Sequence, residues 1–311
     1  MKAVKTDADK KLVLFDAEPP KPQRRDAVVR VHAISVNRGE IRRSLGASAG
    51  FRPGWDIAGV VETAAADGTG PKAGARVVGL LPVAAWAEQV AVPTDSLAVL
   101  LEAVSFAQAS CLPVAGLTAL HALTKRGDLL GRKVLITGPT GGVGHFAMQL
   151  ARLQGAHVVA AVRDEKQVAF AREHGAHEVA IVGQDPSKAA EKGPYDLILE
   201  SVGGASFNAA TKMLASDGVL VTFGISGGTE GTVELSPFYI KGGCQIYGLA
   251  VFHELARYEP ASIGLARLSA LLADKRLKVH IAVEKPWTAI DEVGRDLQSR
   301  KYVGKAVLHV K

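Results

Sequence analysis

The sequence from residue 132 to residue 163 reads RKVLITGPTGGVGHFAMQLARLQGAHVVAAVR, and this stretch decides the fold. Its first part, Lys133–Thr137, is a short β-branched apolar run that is typical of a buried parallel strand. The glycine-rich segment 138–144 follows, then a helical pattern over His145–Leu153 and a second apolar strand, Val158–Val162. This order predicts a dinucleotide-binding unit, because glycines let backbone approach the pyrophosphate and the helix N-terminus attracts it. The candidate contacts in the turn are Thr140, Gly141, Gly142 and Val143.

The end of the second strand indicates which dinucleotide is bound. NAD sites usually carry an acidic residue there, which accepts from the ribose 2′-hydroxyl. This chain has Val162 at that position and Arg163 after it. A guanidinium can bind a 2′-phosphate with two parallel hydrogen bonds, and Lys166 adds charge one helical turn further on. NADPH is therefore the predicted cofactor, although a solvated turn is the other interpretation and Asp164 would approach the ribose after a one-residue shift.

Composition agrees with a soluble enzyme. At 311 residues with 48% hydrophobic content, the chain is long enough for two lobes. The net charge of +6 comes from dispersed basic residues, so we expect no nucleic-acid binding. No apolar segment has the length of a membrane span or signal peptide, and two distant cysteines give no disulfide framework. We therefore expect a cytoplasmic protein without membrane association.

The pattern along the chain changes twice. Residues 1–103 are rich in short strands with frequent turns, which predicts a small barrel-like lobe. Gly59 lies inside one of these strands and indicates a bulge or a close backbone contact. From about Val104, helices alternate with strands, including a helix over Glu165–Glu173 and a late strand over Gln245–Val251. The predicted architecture is α/β, with a doubly wound parallel sheet beside the β-rich lobe.

Several further motifs resemble those of one enzyme family. The segments are Val36–Glu40, Gly54–Glu62, Leu112–Ala119, Glu200–Gly204, Val221–Gly224 and Val303–Leu308. Together with the glycine turn, they resemble the zinc-independent medium-chain dehydrogenase/reductases of the NADPH:quinone oxidoreductase group. The resemblance covers nearly the whole chain.

The resemblance implies a Rossmann domain inserted into a GroES-like catalytic lobe. The catalytic lobe would combine residues 1–115 with residues 253–311, and the dinucleotide-binding domain would span residues 116–252. The active cleft is expected between the lobes. Relatives often dimerise through the last strand of the cofactor sheet, so we expect a homodimer through residues 245–251.

Zinc is excluded by the side chains at the ligand positions of zinc-dependent relatives. A catalytic zinc needs three protein ligands and a structural zinc usually four. The ligand histidine of a Gly-His-Glu triplet is replaced in Gly54-Trp55-Asp56, and the early ligand cysteine is replaced by Asn37. No four-cysteine segment is present. We therefore expect no metal.

The resemblance also suggests residues for handling the acceptor. Asn37 matches a family position beside the nicotinamide, and its amide could donate to a carbonyl, although a turn asparagine is the other interpretation. Arg42 stands near the position of an active-site tyrosine in several relatives, so it is a candidate oxyanion donor; a solvated helix residue is equally compatible. We expect both to be catalytic. An arginine there would favour anionic acceptors.

A second set matches family segments that pass the nicotinamide and its ribose. Each of these residues also has a purely structural interpretation, as an ordinary helix residue, part of a strand-to-loop turn or a surface lysine. We expect cofactor contacts, in addition to Asn37, from Thr118, Ser201, Gly203, Phe223, Gly224 and Lys305.

These features predict an NADPH-dependent oxidoreductase that transfers hydride to a quinone or an α,β-unsaturated carbonyl without a metal. Conjugation in such acceptors spreads the developing charge. Enoyl-thioester reduction is the alternative within enzymes. A non-catalytic NADPH-binding sensor or structural protein is the alternative from another class, and turnover of the cofactor distinguishes it.

Overall fold

The computed structural model describes residues 1–310, which form two compact units. Unit 1 consists of Met1–Leu117 with the chain from Leu255 onward, and unit 2 is Thr118–Glu254. The predicted lobe boundaries fall two residues before these at each crossing, at 115 against 117 and at 253 against 255. Two helices contain the crossings: α3 (Pro113–Thr124) and α8 (Val251–Arg257).

Unit 1 is built mainly of β-strands. The strands are β1 (Lys2–Thr6), β2 (Leu12–Asp16), β3 (Asp26–Val36), β4 (Asp56–Thr63), β5 (Arg76–Leu80), β6 (Gln89–Pro93), β7 (Leu97–Val99), β14 (Ile281–Pro286) and β15 (Lys305–His309). A seven-stranded sheet runs in the order β14-β15-β3-β4-β5-β7, with β6 also paired to β3, while β1 and β2 pair separately. The helices are α1 (Arg38–Gly46), α2 (Phe106–Ser110), α9 (Ala261–Ala273) and α10 (Ile290–Gln298).

The long strand β3 organises unit 1, because it pairs with β4, β6 and β15. Its register against β4 shifts between Val31 and Ala33, where Gly59 lies opposite. A Cβ on Gly59 would lie 2.0 Å from the carbonyl oxygen of Arg30. Only glycine fits this backbone approach, so the predicted bulge or close contact at Gly59 is confirmed.

Unit 2 contains a six-stranded parallel sheet. Its strands are β8 (Lys133–Thr137), β9 (His157–Val162), β10 (Glu178–Ile181), β11 (Tyr195–Glu200), β12 (Leu214–Thr222) and β13 (Gln245–Gly248). Their order is β10-β9-β8-β11-β12-β13, and every pairing is parallel. The sheet reverses its direction of winding between β8 and β11, which is the switch point where doubly wound sheets bind ligands. The helices are α4 (Gly142–Leu153), α5 (Val168–Glu173), α6 (Ala205–Lys212) and α7 (Leu235–Ile240). The predicted fold class is confirmed.

Each unit buries its own apolar core. The core of unit 1 includes Trp86, Ile34 and Ile57, which are almost fully buried. The core of unit 2 includes Ile198 and Leu220, on neighbouring strands of the parallel sheet. Burial of apolar surface holds the strand ends in place, and the polar residues at those ends are thereby positioned.

Three predicted elements differ from the structure. Helix α4 begins at Gly142 and not at His145, because the glycine segment itself forms the first turn. The predicted strand over Gln245–Val251 is wrong in its last part, since β13 ends at Gly248 and α8 begins at Val251. The helix predicted over residues 165–173 opens with a 3₁₀ turn before α5. Within residues 1–310, no helix has the length and apolar character needed to cross a bilayer.

Candidate active site

The glycine turn leaves the N-terminus of α4 open to a ligand. Gly141 is the N-cap residue and has no side chain that could bond the first amides of the helix. Gly141 is exposed, while Thr140, Gly142 and Val143 are half-buried around it. The four predicted contact residues therefore lie at the N-terminus of a 12-residue helix, and the first N–H groups of this helix have no side-chain cap. These amides suit the pyrophosphate of a dinucleotide.

The turn is tight enough to require glycine at Gly144. A Cβ there would lie 2.4 Å from the carbonyl oxygen of Gly138 and 2.7 Å from Cα of Pro139. No side chain fits at these distances, so the backbone of the turn packs directly on the first turn of α4. The close approach expected from the sequence pattern is therefore present in the backbone.

The end of β9 carries the predicted cation for a 2′-phosphate. Val162 is buried, and Arg163 and Lys166 are exposed directly after it. The backbone N–H of Arg163 donates to Gln167 Oε1 at 2.8 Å, which shapes the turn. Within residues 1–310, the Arg163 guanidinium forms no hydrogen bond or ion pair. The structure thus presents a free guanidinium where an NAD site would present a carboxylate.

The ends of β11 and β12 lie side by side, and their loops are interlocked. The Phe223 N–H donates to the carbonyl of Glu200 at 3.0 Å, and a Cβ on Gly224 would lie 2.4 Å from the carbonyl oxygen of Ser201. Gly203 has a φ of +76° and packs against the carbonyl oxygen of Gly228. The predicted contacts Ser201, Gly203, Phe223 and Gly224 thus come together at one edge of the sheet, while Thr118 is buried on α3.

Unit 1 holds a buried cluster of polar side chains from distant parts of the chain: Asn37, Glu40, Asp56 and Lys305. Lys305 Nζ donates to Asn37 Oδ1 at 2.7 Å and lies 3.6 Å from Asp56 Oδ2. Asn37 Nδ2 donates to Asp56 Oδ2 at 2.7 Å and to Glu40 Oε1 at 3.1 Å. The side chains of Lys305 and Asp56 expose 2% and 0% of their surface. A buried cation is thus held by an amide and a carboxylate.

The amide of Asn37 is fully engaged in this cluster. Both of its Nδ2 hydrogens go to carboxyl oxygens and its Oδ1 accepts from Lys305. No amide hydrogen of Asn37 is left for a substrate carbonyl in this arrangement. Asn37 therefore orients the ammonium of Lys305, which is the positive charge of the cluster.

Two further groups fix Asp56. Its Oδ2 accepts from Ser35 Oγ at 2.7 Å, and its Oδ1 accepts from the N–H of Val114 at 2.9 Å. Three donors hydrogen-bond to this carboxylate when Asn37 is counted, and the ammonium of Lys305 lies 3.6 Å from it. These contacts hold the carboxylate of Asp56 in place beside Lys305.

Glu40 has the opposite character. Its Oε1 accepts from the backbone N–H of Asn37 at 2.7 Å, as the N3 residue of a capping box. Its Oε2 is buried without a hydrogen-bond partner among residues 1–310. Burial raises the pKa of Glu40 well above its usual value, and the charge of Asp56 raises that pKa further. The protonated form of Glu40 is therefore favoured more strongly in the folded protein than in the unfolded chain.

Arg42 lies apart from the cluster. It is exposed on α1 and its guanidinium forms no hydrogen bond or ion pair within residues 1–310. Trp55 is half-buried, donates from Nε1 to the carbonyl of Pro82 at 3.0 Å and packs over Gly39 in α1. Both side chains of the predicted pair Asn37 and Arg42 are thus on or next to α1, but only Asn37 joins Lys305.

The zinc-ligand positions hold side chains with other roles. Asn37 and Trp55 replace the cysteine and histidine, and neither is a zinc ligand. Within residues 1–310, no three His, Cys, Asp or Glu side chains are arranged to hold a metal ion. Burial raises the pKa of the Cys111 thiol to about 12, so it is not a thiolate at neutral pH. The exclusion of zinc stays a prediction from these side chains.

Comparison with known proteins places the chain in a family. Residues 23–103 match the alcohol dehydrogenase GroES-like domain and residues 142–265 match the zinc-binding dehydrogenase domain. Prostaglandin reductase-3 of Mus musculus is 30% identical over 82% of this chain and 72% of its own length. The quinone oxidoreductase of Coxiella burnetii superposes with a TM-score of 0.86 at 26% identity, over 100% of this chain and 99% of the other. The chain belongs to the zinc-independent, quinone oxidoreductase-like medium-chain dehydrogenase/reductases.

This membership confirms the resemblance drawn from the motifs, and the chain is an oxidoreductase of this family. The Escherichia coli quinone oxidoreductase, whose structure is a complex with NADPH, has a TM-score of 0.86 at 23% identity over 99% of both chains. At that identity the likeness shows the fold alone.

Sequence reasoning missed two carboxyl groups of the site. Glu40 lies in a quoted motif, and its place three residues after Asn37 is the signal of a capping box. Asp56 was considered only as part of the Gly54-Trp55-Asp56 segment, which occupies the position of a zinc-ligand triplet in zinc-dependent relatives. Its pairing with Lys305 joins positions 249 residues apart (305 − 56), and no local pattern encodes that contact.

Proposed function

We propose that this protein is an NADPH-dependent reductase of quinones or α,β-unsaturated carbonyl compounds. The observation that carries the cofactor assignment is the free guanidinium of Arg163, next to the buried Val162 at the end of β9. A 2′-phosphate could pair with this cation. Position 162 carries valine and not the acidic residue that would bind a ribose 2′-hydroxyl. The uncapped N-terminus of α4 supports the pyrophosphate, and Lys166 adds positive charge.

When bound, NADPH supplies the hydride from its nicotinamide ring. The proposal assigns the dinucleotide to unit 2, with contacts from the glycine turn and from the ends of β11 and β12. Ser201, Gly203, Phe223 and Gly224 would border it there. Thr118 and the unit 1 residues Asn37 and Lys305 remain proposed contacts from the family resemblance.

We propose that unit 1 contributes to the reaction by electrostatic stabilisation. Reduction of a quinone or enone places negative charge on the acceptor oxygen, and a preorganised cation lowers the energy of that charge. Lys305 is such a cation, since Asn37 and Asp56 hold it in place before any substrate arrives. The exposed Arg42 is a second proposed donor to an oxyanion. Both cations favour acceptors whose reduced form is anionic.

The test is a turnover panel with purified protein. NADPH or NADH is mixed with quinones, enones, simple aldehydes or enoyl thioesters, and absorbance at the nicotinamide band is followed. We expect oxidation of NADPH in preference to NADH, with quinones or enones as acceptors. Turnover only with enoyl thioesters would mean that the protein is an enoyl-thioester reductase. Tight binding of NADPH without any turnover would favour a non-catalytic NADPH-binding sensor.

We also propose a homodimer that pairs through β13. This strand is the outer strand of the six-stranded sheet, and its one sheet partner among residues 1–310 is β12. The neighbouring helix α7 exposes about 70% of Leu235, Tyr239 and Ile240. An edge strand and an exposed apolar helix that ends shortly before it in the sequence suit a second copy of the chain. The pairing segment would be residues 245–248 and not the full predicted 245–251.

A further inference from the structure

The carboxylate of Glu200 is fully buried at the carboxyl end of β11. It accepts from the backbone N–H groups of Val202 at 3.0 Å and Gly203 at 2.9 Å. It also accepts from Ser206 Oγ at 2.9 Å and Thr137 Oγ1 at 3.2 Å. Two amides and two hydroxyls thus satisfy this anion, and no ion pair of Glu200 occurs within residues 1–310.

These bonds join the two strands that flank the switch point. Thr137 is the last residue of β8, directly before the glycine turn, and Glu200 is the last residue of β11. Thr137 Oγ1 accepts from the N–H of Ser201 at 2.9 Å, and Ser201 Oγ donates to the carbonyl of Thr137 at 3.0 Å. A Cβ on Gly138 would lie 2.6 Å from Ser201 Oγ, so the two turns are in direct contact.

A third strand end is fixed to the same residue. The carbonyl of Glu200 accepts from the N–H of Phe223, just after β12, and the carbonyl of Val202 accepts from Gly227 N–H at 2.6 Å. The Ser201–Gly204 turn is therefore enclosed on one side by the glycine turn and on the other by the loop after β12. The carboxylate of Glu200 holds the inside of this turn.

We propose that Glu200 is a positioning residue for the dinucleotide. Its carboxylate sets the spacing between the glycine turn after β8 and the Ser201–Gly204 turn after β11, which border the crevice at the switch point. The inference rests on the proposed function, since it assumes that a dinucleotide occupies this crevice. The residue does not touch the ligand; it acts through Thr137, Ser201 and Gly203.

A split between two ligands tests this role. We expect NADPH to reach both turns, with its pyrophosphate at the glycine turn and its nicotinamide half at the Ser201–Gly204 turn. Adenosine 2′,5′-bisphosphate would place its 2′-phosphate at the end of β9 and its 5′-phosphate at the glycine turn, and it has no nicotinamide half to reach the Ser201–Gly204 turn. In Glu200→Gln, an amide group faces backbone N–H donors, so the turn loses its anchor while the side-chain volume is kept. We expect the Kd of NADPH to rise about tenfold to hundredfold. The Kd of adenosine 2′,5′-bisphosphate should stay within about twofold.

Two other variants give independent support. Thr137→Val removes the hydroxyl between Glu200 and Ser201, and its effect on the Kd of NADPH should combine non-additively with Glu200→Gln, because both break one network. Glu200→Asp keeps the charge and should recover part of the NADPH affinity. The matched control is Glu254→Gln, another fully buried carboxylate of unit 2, which accepts from Lys125 and Tyr247. It should lower the melting temperature without changing the ratio of the two Kd values.

The outcomes separate the inference from the function on which it rests. Unchanged NADPH affinity in folded Glu200→Gln overturns the inference alone. Equal weakening of both ligands, as in a general loss of structure, also overturns it. Failure of the unaltered protein to bind NADPH would overturn the proposed function and this inference together.

Discussion

Lys305 Nζ donates a hydrogen bond of 2.7 Å to Asn37 Oδ1, across 268 positions of sequence. The carboxylate of Asp56 lies further from the same ammonium, at 3.6 Å. The amide therefore aims the cation and the carboxylate balances its charge. Asn37 also donates both of its amide hydrogens, so a substitution at Lys305 or Glu40 removes a hydrogen-bond partner of Asn37.

Loss of the buried cation should reduce turnover. Lys305→Met leaves the side-chain length nearly unchanged but removes the charge that the proposal places near the acceptor oxygen. We expect kcat/KM to fall about 100-fold or more, as for removal of one oxyanion donor. Stability should fall too, since Asp56 stays buried without its cation. Lys285→Met, at a half-buried lysine of β14, is the control. Equal kcat/KM in both variants would contradict the role of Lys305.

Stability should depend on pH through Glu40. Its pKa in the folded protein is raised, so between about pH 4.3 and that pKa the folded state holds a proton that the unfolded state has released. Rising pH therefore lowers the free energy of unfolding, by about 1.4 kcal/mol per pH unit in this window. Below about pH 4.3 the group has no such effect.

Glu40→Gln removes this titration while keeping an acceptor for the N–H of Asn37. Urea unfolding of both proteins from pH 4 to pH 8 should show the variant gaining stability relative to the unaltered protein as pH rises. A constant difference across that range would mean that folding does not raise the pKa of Glu40.

The glycine turn should not tolerate a methyl group at Gly144. Gly144→Ala brings Cβ to 2.4 Å from a backbone oxygen, so the turn or α4 must shift. We expect a loss of about 1–3 kcal/mol in stability, as for overpacking, and a more than tenfold rise in the Kd of NADPH. Gly46→Ala is the control, because a Cβ there meets nothing within 4 Å. Titration of intrinsic fluorescence with NADPH measures the difference, and equal affinities in the two variants would contradict the assignment of the turn.

Charge reversal at Arg163 should change the choice of cofactor. Arg163→Asp places a carboxylate where it repels a 2′-phosphate and can accept from a ribose hydroxyl. The Kd of NADPH should rise tenfold or more while that of NADH stays equal or falls. Arg172→Asp, at an exposed arginine of α5, reverses a charge nearby in sequence without facing the end of β9. If both variants change the two affinities alike, Arg163 does not select the cofactor.

The proposed homodimer should depend on the surface of α7. Tyr239→Glu with Ile240→Asp introduces charges into an apolar patch, which would have to be desolvated in an interface. Light scattering after gel filtration should show a dimer for the unaltered protein and a monomer for the double variant. Leu130→Asp changes a residue that is equally exposed elsewhere in unit 2 and should leave the dimer intact. A monomeric unaltered protein would contradict the proposal.

Local patterns predicted much of the fold. The strand, glycine turn and helix after Lys133 were recognisable because each depends on neighbouring residues. The end of β13 was placed too late, because an apolar run continues through Val251 and only the start of α8 divides it. The N-terminus of α4 was also placed too late. Glycine is a poor helix former, which favoured a start at His145, but packing against the turn overrides that preference and the helix begins at Gly142.

The sequence by itself determined the family, through motifs that are spread over nearly the whole chain. It also determined the dinucleotide turn and the contrast between Val162 and Arg163, because these lie within one short segment whose backbone is set locally. Only the tertiary structure decided which polar groups are paired and buried. It joined Asn37, Asp56 and Lys305 from three strand or helix ends, raised the pKa of Glu40 by burial and satisfied Glu200 with four donors. The ionisation and hydrogen bonding of a buried group depend on neighbours that the chain brings together only when it folds, so no local pattern could specify them.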